Sequence, residues 1–227
     1  MAYFSLRLVV EGSRARAILN ADRMLRLEAV LGLDHELGLQ HVAAANPLVR
    51  AAGNLSYVWL HWPVLALALV VSYARDRHRY RRLRDTLFWS GLVGIVLFAV
   101  DPEAPPRFLP GHTGTVSEAA RRLYLGFPLS WSNPYASFPS FHVGWTLVAC
   151  ITVASVVQGR VARAIALVPA AAVTVAVVTT GNHIVGDVLV GAAIAMVTWW
   201  LVGRQSPALR SGRRPCEPVG AASARAV

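Results

Sequence analysis

Long apolar runs separated by short arginine clusters constrain this chain more than any other feature. A helix that spans the hydrocarbon core of a bilayer needs about 20 mostly apolar residues. Leu55 to Ala74 supplies such a run without a formal charge. Thr86 to Val100, Phe141 to Val157, Val161 to Thr180 and Ile184 to Gly203 follow. Thr86 to Val100 is shorter, and Pro102 soon follows it. Arg163 stands near the start of the fourth run, where its long stem reaches the interface. The chain has 227 residues and shows no internal repeat. The expectation is an all-α, polytopic membrane helix bundle with five to six transmembrane helices in one domain.

The formal charge of +10 comes from arginine alone, since the sequence contains no lysine. A nucleic-acid binder would gather its basic residues on one soluble face. Here they lie between apolar runs, as in the cytoplasmic loops of membrane proteins, so the expected partner is the lipid bilayer and not nucleic acid. Cys150 lies in an apolar run and Cys216 in a polar tail, and neither has a partner at metal-ligand spacing. Both read as inert thiols. Met1 to Val10 is apolar but short, and no cleavage-like site follows it, so it does not read as a signal peptide.

Arginine placement sets the orientation. Arg75, Arg77, Arg79, Arg81, Arg82 and Arg84 occupy the loop after the first confident helix, which the positive-inside rule makes cytoplasmic. Asp101 to Ser140 then lies outside. Arg160 and Arg163, then Arg204, Arg210, Arg213 and Arg214, agree with the same topology. An integral protein of the plasma membrane with an extracytoplasmic site is expected. Residues 1–26 read as a cytoplasmic or interfacial segment, 27–203 as the catalytic membrane domain, and 204–227 as a disordered cytoplasmic tail. Leu27 to Val49 is ambiguous. Its Glu28, Asp34, His35, Glu36, Gln40 and His41 fit an amphipathic interfacial helix or a crossing whose polar residues face the bundle. Arg7, Arg14, Arg16, Arg23 and Arg26 before it favour a crossing.

This topology puts three polar motifs on one face: Ala104-Pro105-Pro106-Arg107, Phe138-Pro139-Ser140-Phe141-His142, and Gly181-Asn182-His183 followed by Asp187. His183 and Asp187, four residues apart, share a helix face. A carboxylate on one imidazole nitrogen fixes the tautomer and leaves the other free to attack. His142 opens a helix beside Ser140, whose hydroxyl, with the amides of Phe141 and His142, suits a phosphate. His142 is then placed to protonate a leaving oxygen. Arg107, stiffened by two prolines, offers a planar grip on phosphate oxygens. Together these are the parts for phosphoryl transfer through phosphohistidine. A zinc site built from two His and one Asp is the competing chemistry; Pro-Ser and Arg107 favour an anion, with no metal and no cofactor.

These residues resemble the type 2 phosphatidic acid phosphatase (PAP2) superfamily, whose Pro-Ser-x-His and His-x-x-x-Asp motifs are matched by Pro139 to His142 and His183 to Asp187. The resemblance extends to the inositolphosphotransferase-like branch, which includes fungal inositol phosphorylceramide synthase. It is carried there by Ala104 to Arg107, Asn133-Pro134-Tyr135-Ala136, Thr180 to His183, and Tyr57 through His61. It covers roughly Leu27 to Gly203. The resemblance implies a six-helix core, His183 as nucleophile, His142 as acid, and a metal-independent lipid phosphatase or phosphotransferase. Its substrate is a membrane lipid phosphate, and an alcohol is a possible acceptor. A lysine seven residues before the arginine and an arginine six residues before the second histidine are normal in the superfamily; Val100 and Val177 stand there instead. This favours a diester donor over a dianionic monoester, and disfavours a vanadate-dependent haloperoxidase.

His61, among Trp59 and Trp62, reads as part of an interfacial aromatic belt or as a headgroup or supporting residue. Asn182 reads as a helix cap or a substrate contact, and His112 as a solvated residue. The alternative to an enzyme is a non-catalytic lipid-binding protein that keeps the fold.

Overall fold

The structure is a computed structural model that describes residues 12–117, 120 and 133–205. Arg7, Cys216 and the tail beyond residue 205 lie outside the described residues. The chain folds into α1 (Arg14–Leu31), α2 (Glu36–Ala45), α3 (Pro47–Leu55), a π-helical turn (Ser56–Leu60) and α4 (His61–Arg75). Then come α5 (Arg77–Val100), a single 3-10 turn (Pro106–Phe108), α6 (Phe141–Val156), α7 (Arg160–Thr179) and α8 (Val185–Gln205). The all-α class is as expected. Helix boundaries follow local chemistry. The Asn46 side chain accepts from the amides of Leu48 and Val49, and Pro47 takes the first helical position, where no amide is needed. Asp76 caps α5 through His78 and Arg79 and pairs with the Arg79 guanidinium at 3.0 Å.

Four segments are long and apolar enough to cross a membrane: Pro47–Arg75, Arg77–Val100, Arg160–Thr179 and Val185–Arg204. Helix α6 is a shorter apolar companion. It packs between α4, α7 and α8, and α8 packs also on α5. The core holds Leu65, Ala68, Leu83, Val148, Ala149, Cys150, Ala195 and Trp199. Val70, Phe88, Val96, Val161, Val168 and Val197 face outward and are exposed. Apolar surface on the outside of an apolar bundle is what lipid solvates, and the protein is an integral membrane protein. Cys150 is a free, buried thiol. Gly144 and Gly191 let α6 and α8 touch, since a Cβ on either would strike backbone of the other segment.

Between Leu27 and Val49 the chain forms two helices with a break between them, not one continuous span. Helix α1 stops at Gly32 in a left-handed conformation, φ 69°. Helix α2 has 10 residues, which is about 15 Å, half of a hydrocarbon core of about 30 Å. From Pro47 onward the chain already belongs to the first long helix. The polar residues of this segment serve a different purpose. Glu28 and Glu36 accept from the amides of Gly186 and Val185 at the start of α8, and Gln40 accepts from the Thr113 amide. Helix α1 is also tied to the loop after α5: Ala104 N–H donates to the Ala17 carbonyl at 3.0 Å and Asn20 to the Pro102 carbonyl at 3.0 Å. Residues 12–26 therefore lie at the same end as that loop.

Candidate active site

The loops and helix starts at this end bring the three polar motifs together. Two ring centroids 5.7 Å apart define the centre: His142, in the first turn of α6, and His183, just before α8. Their backbones are locked to each other, because Ser140 N–H donates to the Asp187 carbonyl at 2.9 Å. His183 reaches its position through a tight reversal after α7. Gly181 has φ 68°, and a Cβ there would strike the Thr113 carbonyl, so only glycine fits. The amides of Asn182 and His183 both donate to the Val177 carbonyl.

His183 is 5% exposed and Asp187 is fully buried. His183 Nδ1 lies 3.1 Å from Asp187 Oδ2, as the four-residue spacing predicted. The same oxygen accepts from the Ser137 hydroxyl at 2.8 Å and the Ile184 amide at 3.2 Å. Three donors toward one oxygen hold the carboxylate in place. With a proton on Nδ1, Nε2 carries the free lone pair.

His142 lies among aromatic rings. It stacks on Tyr57, with centroids 4.9 Å apart and an interplanar angle of 25°, and it touches His61 at 4.9 Å. His61 is 3% exposed, and its Nδ1 lies 2.8 Å from Thr146 Oγ1. Thr146 in turn donates to the His142 carbonyl at 2.5 Å. The threonine proton is thus used, and Nδ1 of His61 is the donor. Thr146 sits one turn after His142, so His61 grips the helix that carries His142. The π-helical turn lies directly before His61 and carries Tyr57. Such turns are frequent at functional sites.

Arg107 comes in from the opposite loop. Its amide donates to the Gly181 carbonyl at 3.2 Å, and Nη1 donates to Asn182 Oδ1 at 2.6 Å. Asn182 is itself fixed by its Nδ2 on Thr180 Oγ1 at 2.7 Å. Asn182 therefore ties Arg107 to the residue beside His183. Ser140 is fully buried, and its hydroxyl finds no hydrogen-bond partner in the chain. A buried, unsatisfied hydroxyl beside a helix N-terminus is a fit for an anionic oxygen. The Phe141 side chain packs on Trp145 and Phe98, which leaves its main chain as the part facing an anion.

Several contributors carried no readable sequence signal. Ser137 is two residues before the recognised Pro-Ser motif, and Glu103 is hidden among loop prolines. Glu28 and Glu36 looked like the polar face of a surface helix. Glu28 is buried, and its carboxyl is pushed up to about 8, first by burial and then by hydrogen bonding to Glu36.

A family model described as the PAP2 superfamily matches residues 22–201. The match covers well over half of the chain, and the protein belongs to that superfamily. No curated protein and no solved structure matches it. Membership suggests a phosphatase or phosphotransferase acting on lipid phosphate esters.

Proposed function

We propose that this protein is a membrane-embedded lipid phosphatase or phosphotransferase that works through a phosphohistidine on His183. The observation that carries this reading is a pair of histidine rings with centroids 5.7 Å apart, of which His183 is bound through Nδ1 to the buried Asp187 carboxylate. In the first step His183 Nε2 attacks phosphorus, the bond to the leaving oxygen breaks, and His142 delivers a proton to that oxygen. In the second step water or an alcohol attacks the phosphohistidine. The P–N bond breaks and His142 takes the proton of the incoming group. Arg107, the Ser140 hydroxyl and the amides of Phe141 and His142 hold the equatorial oxygens.

The donor best suited to the site is a singly charged diester, as in the inositolphosphotransferase-like branch. Val177 is buried and supplies only its carbonyl, and Val100 is exposed at the end of α5, so neither position provides a cation. The site end faces away from Arg75 to Arg84, Arg160, Arg163 and Arg204, which supports an extracytoplasmic site in the plasma membrane. The test is to incubate purified protein with labelled lipid monoesters and diesters, with and without inositol. Free phosphate would mark a phosphatase and a new lipid a transferase. Retained binding with no turnover, unchanged by His183→Ala, would identify a lipid-binding protein instead.

A further inference from the structure

Behind His183 lies a carboxyl group that the mechanism above does not use. Glu103 follows α5 and is 1% exposed. Its main chain is fixed on both sides: its N–H donates to the Tyr135 carbonyl at 2.8 Å, and its carbonyl accepts from Ser137 at 3.2 Å. Its side chain is thereby brought within hydrogen-bonding reach of Asp187. Asp187 Oδ2 is saturated by His183, Ser137 and Ile184, while Oδ1 is buried and has no donor. Glu103 Oε1 is buried and also has no partner. Two ionised carboxylates in contact at such a place would repel strongly, whereas one proton between them satisfies both orphaned oxygens. The proton belongs on Glu103, because the donors that stabilise a negative charge all converge on Asp187.

We propose that Glu103 is a positioning residue: it holds a proton and donates it to Asp187 Oδ1, which keeps Oδ2 aimed at His183 Nδ1. The functional consequence rests on His183 being the nucleophile. With Oδ1 engaged, the aspartate neither rotates away nor draws the proton off Nδ1, and Nε2 stays free to attack. The groups facing Glu103 are acidic on every side: Asp187 from α8, Asp101 from its own loop and Glu28 from α1. Glu36 reaches the same helix start from α2. Arg107, the nearest cation along the loop, is turned toward Asn182. Burial and these neighbours hold the Glu103 carboxyl well above the usual carboxylate range.

The test uses the full-length protein in lipid nanodiscs, with Glu103→Gln and Glu103→Leu beside it. Infrared difference spectra of wild type against Glu103→Gln at neutral pH should show one protonated carboxyl band that the variant lacks. Phosphoenzyme formation from a labelled nitrophenyl phosphodiester, a singly charged donor with an activated leaving group, is then followed against pH. Glutamine still donates a hydrogen bond, so Glu103→Gln should stay within a few-fold of wild type and lose the alkaline fall that wild type shows. Glu103→Leu should be slower by about 10- to 100-fold, the range for a lost hydrogen bond to a charged group. Absence of the band, or an alkaline limb that persists in Glu103→Gln, overturns the proposal. So does equal damage in both variants. If the band is present and glutamine removes it, but wild type forms no phosphoenzyme, the proton sharing stands and the His183 reading fails. Should the leucine variant not fold, the glutamine spectra and pH profile decide alone.

Discussion

The surroundings of the two histidines differ in kind. His183 sits among oxygens, with Asp187 on Nδ1, Ser137 at 3.3 Å from the same nitrogen, and Glu103 behind the aspartate. His142 sits among rings: Tyr57, His61 and His183, with its helix held by Thr146 and His61. A carboxylate shell suits a group that becomes positively charged on attacking phosphorus. An aromatic shell holds the His142 ring in place. The proposed division of roles between these two chemically identical side chains rests on what packs around each.

The largest effect expected from breaking this contrast is at His183. His183→Ala should abolish phosphoenzyme formation and turnover with every ester, read by acid-labile labelling. The His142→Ala variant should discriminate between leaving groups. Loss of general acid help should slow a lipid alkoxide by about 10²- to 10⁴-fold and an activated nitrophenyl ester far less. Equal losses with both esters would reverse the assignment of roles.

Smaller effects should follow from the supports. Asn182→Ala frees the Arg107 guanidinium from its 2.6 Å anchor. Loss of a hydrogen bond to a charged group costs about 1.5–3 kcal/mol, so KM should rise by about 10- to 100-fold, with kcat changing less. The Thr146→Val variant removes the link between His61 and the His142 helix. A neutral hydrogen bond contributes about 1 kcal/mol, so kcat should fall about fivefold with slow-leaving esters.

The smallest effect concerns the junction of α1 and α8. Glu28 ionises near 8 in the fold against an ordinary 4.5, so the protonated form is favoured by folding. Its contribution to stability is complete below 4.5, shrinks as pH rises, and is gone once pH passes about 8. The Glu28→Gln variant cannot ionise there, so its melting temperature in detergent should decline less than that of wild type between about pH 5 and about pH 9. Parallel declines would show that Glu28 is ionised in the folded protein at neutral pH.

The active-site motifs were legible because each is local. His183 and Asp187 are four residues apart across the start of one helix, and Ser140 and His142 start another, so each pair is set by a short stretch of chain. The N-terminal segment misled for the opposite reason. Glu28 and Glu36 look like residues avoiding lipid, and arginines beside them favour a cytoplasmic start. Their actual partners are amides 158 and 149 positions away. No periodicity encodes such a pairing. His61 was legible only as one member of an aromatic belt, and its bond to Thr146 spans 85 positions.

By itself the sequence determined that this chain crosses a membrane and which polar residues gather at one end of its long helices. These follow from the bilayer, which acts on each apolar run and each arginine cluster separately. The tertiary structure decided that α1 and α2 close over the site end, that Ser137 completes the shell of Asp187, and that Glu103 meets the same aspartate. Those outcomes depend on where loops return after long excursions. Burial then forces each stranded carboxyl or amide to find whichever partner the fold has brought near.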